Sequence, residues 1–106
     1  MDVNKKTQSL YKAILSLKDE KECQKFFRDL LTEAEMKEFA NRWTVAQMLD
    51  KKIDYETITK ETGMSSTTIA RISKWLNTGM GGYKLMLRRL NVISNINHHH
   101  FPLVAE

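Results

Sequence analysis

Apolar residues recur at helical spacing along most of the chain, and polar capping residues separate one apolar stripe from the next. Leu10, Ile14 and Leu17, with Tyr11 and Leu15 adjoining, predict a short first helix ending near Lys18. Asp19 can cap a second helix, in which Cys23, Phe26, Phe27, Leu30 and Leu31 stand at offsets 0, 3, 4, 7 and 8 and form one core-facing stripe. The run "TEAE" then has the form of a capping box, Thr32 and Glu35 each accepting from the other's amide, and a third helix begins there. On that helix Met36, Phe39, Ala40, Trp43 and Ala46 share one face while Val45, Met48 and Leu49 occupy the opposite one. A helix apolar on both sides must be covered twice, which places it at the centre of the fold. "KKID" is a short polar break, after which Asp54 can cap a fourth helix through Thr62 that carries Tyr55 and Ile58 inward. A last helix from Gly82 to roughly Asn95 is again two-faced, with Tyr83, Met86, Leu87, Leu90 and Ile93 on one side and Leu85, Val92 and Ile96 on the other. Its second face points to another subunit, hence to a homodimer.

The window "YETITKETGMSSTTIARISK", Tyr55 to Lys74, is where a stripe pattern becomes a motif. Gly63 ends one helix at a point where a reversal within three or four residues needs a residue tolerant of positive φ. Ser65 can then accept from the open amides of the next helix and fix its start. Ile58, Ile69 and Ile72 lock the two helices together, and Thr59 is small enough for a close crossing. This is the spacing of a helix-turn-helix, over residues 54–76. The leftover face carries Ser66, Thr67, Thr68 and Ala70, short side chains that let a backbone sink into a major groove, where hydroxyls meet base edges and methyls meet thymine. Arg71 and Lys74 can reach phosphate or guanine from the same face. With Ser65 at the helix start, Ser66, Thr67, Thr68, Arg71 and Lys74 are the candidate DNA-binding residues.

Composition changes this picture only a little. The chain has 106 residues, one domain by length, with 42% hydrophobic and 28% charged residues, the balance of a globular protein. A formal net charge of +4 suits a polyanionic partner without demanding one. Within the motif Lys60, Arg71 and Lys74 are opposed by Glu56 and Glu61, so phosphate grip must come from elsewhere, and Thr59, Lys60 and Lys84 are candidate phosphate contacts, with Arg88 and Arg89 close behind. One cysteine, Cys23, allows no intramolecular disulfide, and no run of apolar residues approaches membrane-spanning length, so a cytoplasmic protein is expected. Residues 1–96 read as a single helical domain and 97–106 as a C-terminal tail. The carboxylates are dispersed without a paired His or a phosphate-binding glycine loop, so no catalytic residues and no cofactor are expected. His98, His99 and His100 lack a neighbouring acidic or thiol ligand before Glu106, so they read as a polar tail and no metal site is expected.

The ordered string "LLTEAEMKEFANRWTVAQML" and then "ITKETGMSSTTIARISKWL" resembles the Trp repressor superfamily, and within it the YerC/YecD-like branch, over roughly Leu10 to Leu90. That resemblance implies an all-α fold of about six helices and an intertwined dimer presenting two reading heads to successive major grooves. In tryptophan-responsive members the indole lies between two arginines, matched here by Arg42 and Arg71, and Thr32 matches another pocket residue. The pattern then breaks: Ile72 stands where those members have glycine, and Trp75 where a serine contacts the ligand's amino group. Such bulk removes ligand volume, so these five residues read as a vestigial effector pocket, and binding of free tryptophan is not expected. The expected function is that of a sequence-specific transcriptional regulator, a repressor by family, that binds double-stranded DNA as a dimer. The rival reading is a helical protein–protein adaptor that does not bind DNA, and a small-molecule effector of another kind stays open. The fold also resembles the DNA-binding domain of bacterial replication initiators, but that domain is appended to an ATPase for which this chain has no segment.

Overall fold

The computed structural model describes residues 3–100, with side chains described for residues 3–91. Among them are six α-helices, α1 Val3–Leu15, α2 Glu20–Leu30, α3 Glu33–Asp50, α4 Tyr55–Thr62, α5 Ser66–Thr78 and α6 Gly82–His100. The all-helical class and the helix order follow the stripes and caps of the sequence. The ends differ in two places. The first helix stops at Leu15, where Ser16 turns its amide and hydroxyl back to the carbonyls of Lys12 and Ala13 and leaves Leu17 beyond it. The last helix continues past Asn95 to His100, since no glycine or proline interrupts that stretch.

Local chemistry sets most of the boundaries. The Asp19 carboxylate accepts from the Glu22 amide at 2.8 Å and opens α2. The Thr32 hydroxyl accepts from the Glu35 amide at 3.1 Å while the Glu35 carboxylate accepts from the Thr32 amide at 3.0 Å, so the capping box before α3 is closed in both directions. At the other end of α3, Lys52 takes a left-handed conformation with φ +63°. The Ile53 amide then donates to the Met48 carbonyl at 3.0 Å, a Schellman-type stop made without glycine.

The backbone divides into two compact units, and the division falls inside α3 between Phe39 and Ala40. In the first unit no described residue is fully buried. Cys23, Phe26 and Phe27 of the α2 stripe are half-buried, Phe26 meets Phe27 edge-on at 5.5 Å, and Leu30, Met36 and Phe39 are exposed. The second unit has a true core. Val45 and Ala46 of α3, Ile58 of α4, Met64 of the turn, and Ile69 and Ile72 of α5 are buried together, with Trp43, Met48, Leu49, Ile53 and Tyr83 packed around them. The two-sided cover expected for α3 is therefore met around Val45 and Ala46 and unmet at Met36 and Phe39. Tyr55, expected to point inward, is exposed at the first position of α4, where the chain has only begun to turn toward the core.

Candidate nucleic-acid interface

The second unit places α4, a tight turn and α5 in sequence, with α4 packed on α5 and α5 on α6. Asp54 opens α4 by accepting from the Thr57 amide at 2.9 Å. Hydrogen bonds from Thr57, its side chain first and then its amide, hold the Asp54 carboxyl below its ordinary value of 3.8; the nearby Lys60 charge aids this slightly and slight desolvation opposes it. Gly63 closes α4 at φ +73° and ψ +4°, and its amide donates to the Thr59 carbonyl at 2.7 Å. A left-handed residue is required there, which is the reason for the glycine. The turn is pinned a second time by Thr62, whose hydroxyl donates to the Ile58 carbonyl at 2.8 Å and accepts from the Met64 amide at 3.2 Å. Ser65 then opens α5 by accepting from the Thr68 amide at 3.2 Å.

The isoleucines predicted to join the two helices do so: Ile58 and Ile69 are 0% exposed and Ile72 4%. Fully burying an isoleucine contributes roughly 1.5–3 kcal/mol, so this cluster fixes the angle of α5 on α4. One face of α5 is then left outward, with Ser66, Thr67, Ala70, Arg71 and Lys74 all exposed. From Ser66 to Lys74 this face runs about 12 Å, and it carries no acidic residue. Of the expected reading residues, Ser65 and Thr68 differ from the rest. The Ser65 hydroxyl is the helix cap, it also donates to the Thr68 hydroxyl at 3.1 Å, and Thr68 is half-buried. Among the expected phosphate contacts, Lys60 is exposed and Thr59 half-buried on α4, while the Lys84 ammonium reaches the Asn77 carbonyl at the end of α5 at 3.5 Å.

A small, uncharged-to-basic helix face braced by a second helix is the geometry from which HTH proteins present side chains to a groove. The Trp repressor protein family model matches residues 5–91. The chain belongs to the Trp repressor family. It is 43% identical over 86 residues to the uncharacterized protein YerC of Bacillus subtilis (strain 168), covering 81% of this chain and 83% of that one. It is also similar to the solved structure of a TrpR-like protein from Eubacterium eligens ATCC 27750, with a TM-score of 0.80 and 39% identity over 82% of this chain and 90% of that one. A Staphylococcus aureus protein crystallised as a candidate Trp repressor matches with a TM-score of 0.77 and 36% identity, covering 86% of this chain and 95% of that one. These similarities put the chain in the YerC-like branch of the Trp repressor superfamily.

Of the residues matched to the tryptophan pocket of other Trp repressor family members, one belongs to the first unit and four to the second. Thr32 lies in the first unit, where its hydroxyl is engaged in the capping box. Arg42 and Arg71 are exposed on α3 and α5. Ile72 is spent in the core of the second unit, and Trp75 is 54% exposed. Trp75 lines an open cleft of about 500 Å³ with Trp43, Met80, Gly82, Tyr83 and Met86. Trp43 is half-buried there and lies nearly parallel to Tyr83, at 6.4 Å between ring centres and 16° between planes. Ile72 is thus packed inside the second unit, and Trp75 stands at the surface of this chain.

Three features escaped the sequence reading. Met64, in the turn itself, is 7% exposed and plugs the core beneath the motif. Its apolar character just after Gly63 was the available signal. Gly79 ends α5, and a Cβ there would stand 2.4 Å from the Trp75 carbonyl oxygen, so the α5–α6 connection requires glycine for space. Met80, which follows, is fully exposed at 101%. Among the described residues no group of His, Cys, Asp and Glu is placed to hold a metal ion, and the side chains of His98, His99 and His100 lie outside the described ones. No helix among the described residues is long and apolar enough to cross a membrane.

Proposed function

We propose that this protein is a sequence-specific DNA-binding transcriptional regulator, a repressor by family, that acts as a homodimer through α4, the Gly63 turn and α5. The observation that carries the reading is the division of α5: Ile69 and Ile72 are buried against Ile58, while Ser66, Thr67, Ala70, Arg71 and Lys74 face outward from a capped, rigid helix. Short hydroxylic and methyl side chains admit the helix to a major groove, and two cations at its far end supply contacts to guanine or phosphate. The Lys60 side chain on α4 supports the same reading as a phosphate contact.

Dimerisation is supported by the first unit. It exposes Val3, Tyr11, Leu15, Leu30, Met36 and Phe39 and buries none of its described residues, so a second copy is the natural source of cover. The single domain over residues 1–96 then gains cover for its first unit from the second copy, and two reading helices address half-sites about one helical turn, roughly 34 Å, apart. Tryptophan is not the corepressor on this reading, because Ile72 and Trp75 replace the smaller residues that a bound ligand needs.

Mobility shift with genomic fragments at stated salt, followed by selection of bound sequences, tests the proposal. Steeply salt-dependent binding that survives competitor DNA is expected. Arg71→Ala should weaken it by about 1–3 kcal/mol if Arg71 reads a base. Calorimetry with L-tryptophan should show no micromolar binding. The exposed aromatic and methionine cleft around Trp75 favours a second reading, an adaptor that docks another protein. A chain that fails to shift DNA even at low salt would support the adaptor and remove the regulator.

A further inference from the structure

We infer that Ala70 selects a thymine in each half-site, its methyl group meeting the C5-methyl of that base in the major groove. The inference rests on the DNA-binding reading above and says which residue gives it sequence preference. Hydrogen bonds narrow the choice of readers on α5. At its start the Ser65 hydroxyl accepts from the Thr68 amide and donates to the Thr68 hydroxyl at 3.1 Å, which holds both side chains to the helix cap. At its end the Asn77 amide donates to the Ser73 carbonyl and the Thr78 hydroxyl to the Lys74 carbonyl, both at 2.9 Å, which draws these side chains back along the helix. Between the two ends Ser66, Thr67, Ala70, Arg71 and Lys74 remain exposed on one face.

Ala70 is the centre of that face, one turn after Ser66 and Thr67 and one turn before Lys74. It is also the one member with no hydrogen-bonding group. Serine and threonine hydroxyls both donate and accept, so they tolerate several bases, and arginine and lysine serve phosphate as well as guanine. A methyl group can be satisfied only by an apolar partner, and the single apolar group on the major-groove edge of the bases is the thymine methyl. Any other base at that place would have a polar edge stripped of water against a side chain that returns no hydrogen bond. The shortness of the side chain matters too, since it allows the middle of α5 to approach the groove floor.

The test uses the full chain and the selected duplex. Each thymine is replaced singly by deoxyuridine, which removes the C5-methyl and leaves base pairing unchanged. One thymine per half-site should be sensitive, with affinity falling about fourfold, the worth of one buried methyl group. In Ala70→Ser that position should become indifferent to the replacement, while the Arg71→Ala variant should keep the sensitivity. Thermal unfolding of Ala70→Ser should show only the small loss that serine brings to an exposed helix position. The inference is overturned if uracil is tolerated at every position, which would leave Ala70 as a helix former at the surface, or if the sensitivities are the same in Ala70→Ser. Absence of any duplex binding would remove the regulator reading itself and this inference with it, so the two failures are told apart by the unsubstituted duplex.

Discussion

The two units of the chain are written in the same code and have met different fates. In the unit up to Phe39, Cys23, Phe26, Phe27 and Leu30 repeat as regularly as any amphipathic helix requires, yet none of the described residues is buried and Leu15 is 83% exposed. In the unit from Ala40 onward, Val45, Ala46, Ile58 and Ile69 are enclosed completely. The difference lies in geometry. Helices α4 and α5 are joined by a turn tight enough to fold one stripe onto the other, and α5 is followed closely by α6, so each stripe finds its cover within a short stretch of chain. An apolar stripe is thus a demand for cover, and the chain satisfies that demand locally in one unit only.

Core and surface substitutions should break the comparison most sharply. Ile69→Ala removes a fully buried side chain and is expected to cost about 2–5 kcal/mol, lowering the unfolding midpoint at every protein concentration. Phe39→Ser, at a residue 48% exposed in this chain, should act differently. If a second copy covers that surface, sedimentation will show dissociation, and the unfolding midpoint will fall most in dilute solution. Equal and concentration-independent losses for both variants would mean that the two units do not differ in the way drawn here.

Next in size are the glycines that shape the second unit. Gly79→Ala forces a Cβ to 2.4 Å from the Trp75 carbonyl oxygen, a backbone atom that cannot swing aside, so the α5–α6 connection must shift at about 1–3 kcal/mol. Gly63→Ala meets nothing within 4 Å but leaves alanine at φ +73°, for about 1–2 kcal/mol. Denaturant unfolding ranks them. A Gly63→Ala variant as stable as the parent would show that the turn relaxes into another form.

What could be read from residues alone was the part governed by neighbours in sequence. Asp19, Thr32, Asp54 and Ser65 were legible as caps because the groups they bond lie three residues on, and Gly63 was legible because a tight reversal demands positive φ. Lys52 was not, since a lysine in the left-handed region is held there by the Schellman-type bond from Ile53 to Met48. Met64 was not, because its burial depends on how α4 and α5 cross, and Tyr55 is exposed because it stands at the first position of α4. The exposure of Ser66, Thr67, Ala70, Arg71 and Lys74 on one face of α5 was legible from helical spacing, whereas the pairing of Ser65 with Thr68 needed coordinates.

The caps provide a smaller and more symmetrical comparison, since the same chemistry starts α3, the helix both units share, and α5 in the second unit. Thr32→Ala and Ser65→Ala each remove a hydroxyl that accepts an amide at 3.1 and 3.2 Å, and each is expected to cost about 1 kcal/mol. Hydrogen exchange should locate the loss in the first turn of the helix concerned. On the proposed DNA-binding reading, only Ser65→Ala should also weaken DNA binding, because it loosens the start of α5 and releases the Thr68 hydroxyl.

The mildest probe is acid. Asp54 begins α4 with its carboxylate accepting from Thr57, and those hydrogen bonds keep its pKa below 3.8 in the folded chain. A folded value beneath the unfolded one means that the unfolded chain takes up the proton first, so the contribution to stability is complete above about pH 4 and is lost as pH falls through the depressed value. Fraying of α4 should therefore appear only in that acid window, read by exchange of the Thr57 and Ile58 amides. Asp54→Asn keeps an acceptor at the cap but cannot titrate, so the amide protection at α4 should become flat across the same range. No such change is expected at Ser65, whose hydroxyl cap carries no charge to lose. An acid response that persists in Asp54→Asn would transfer the effect to another carboxylate and leave the α4 cap indifferent to pH.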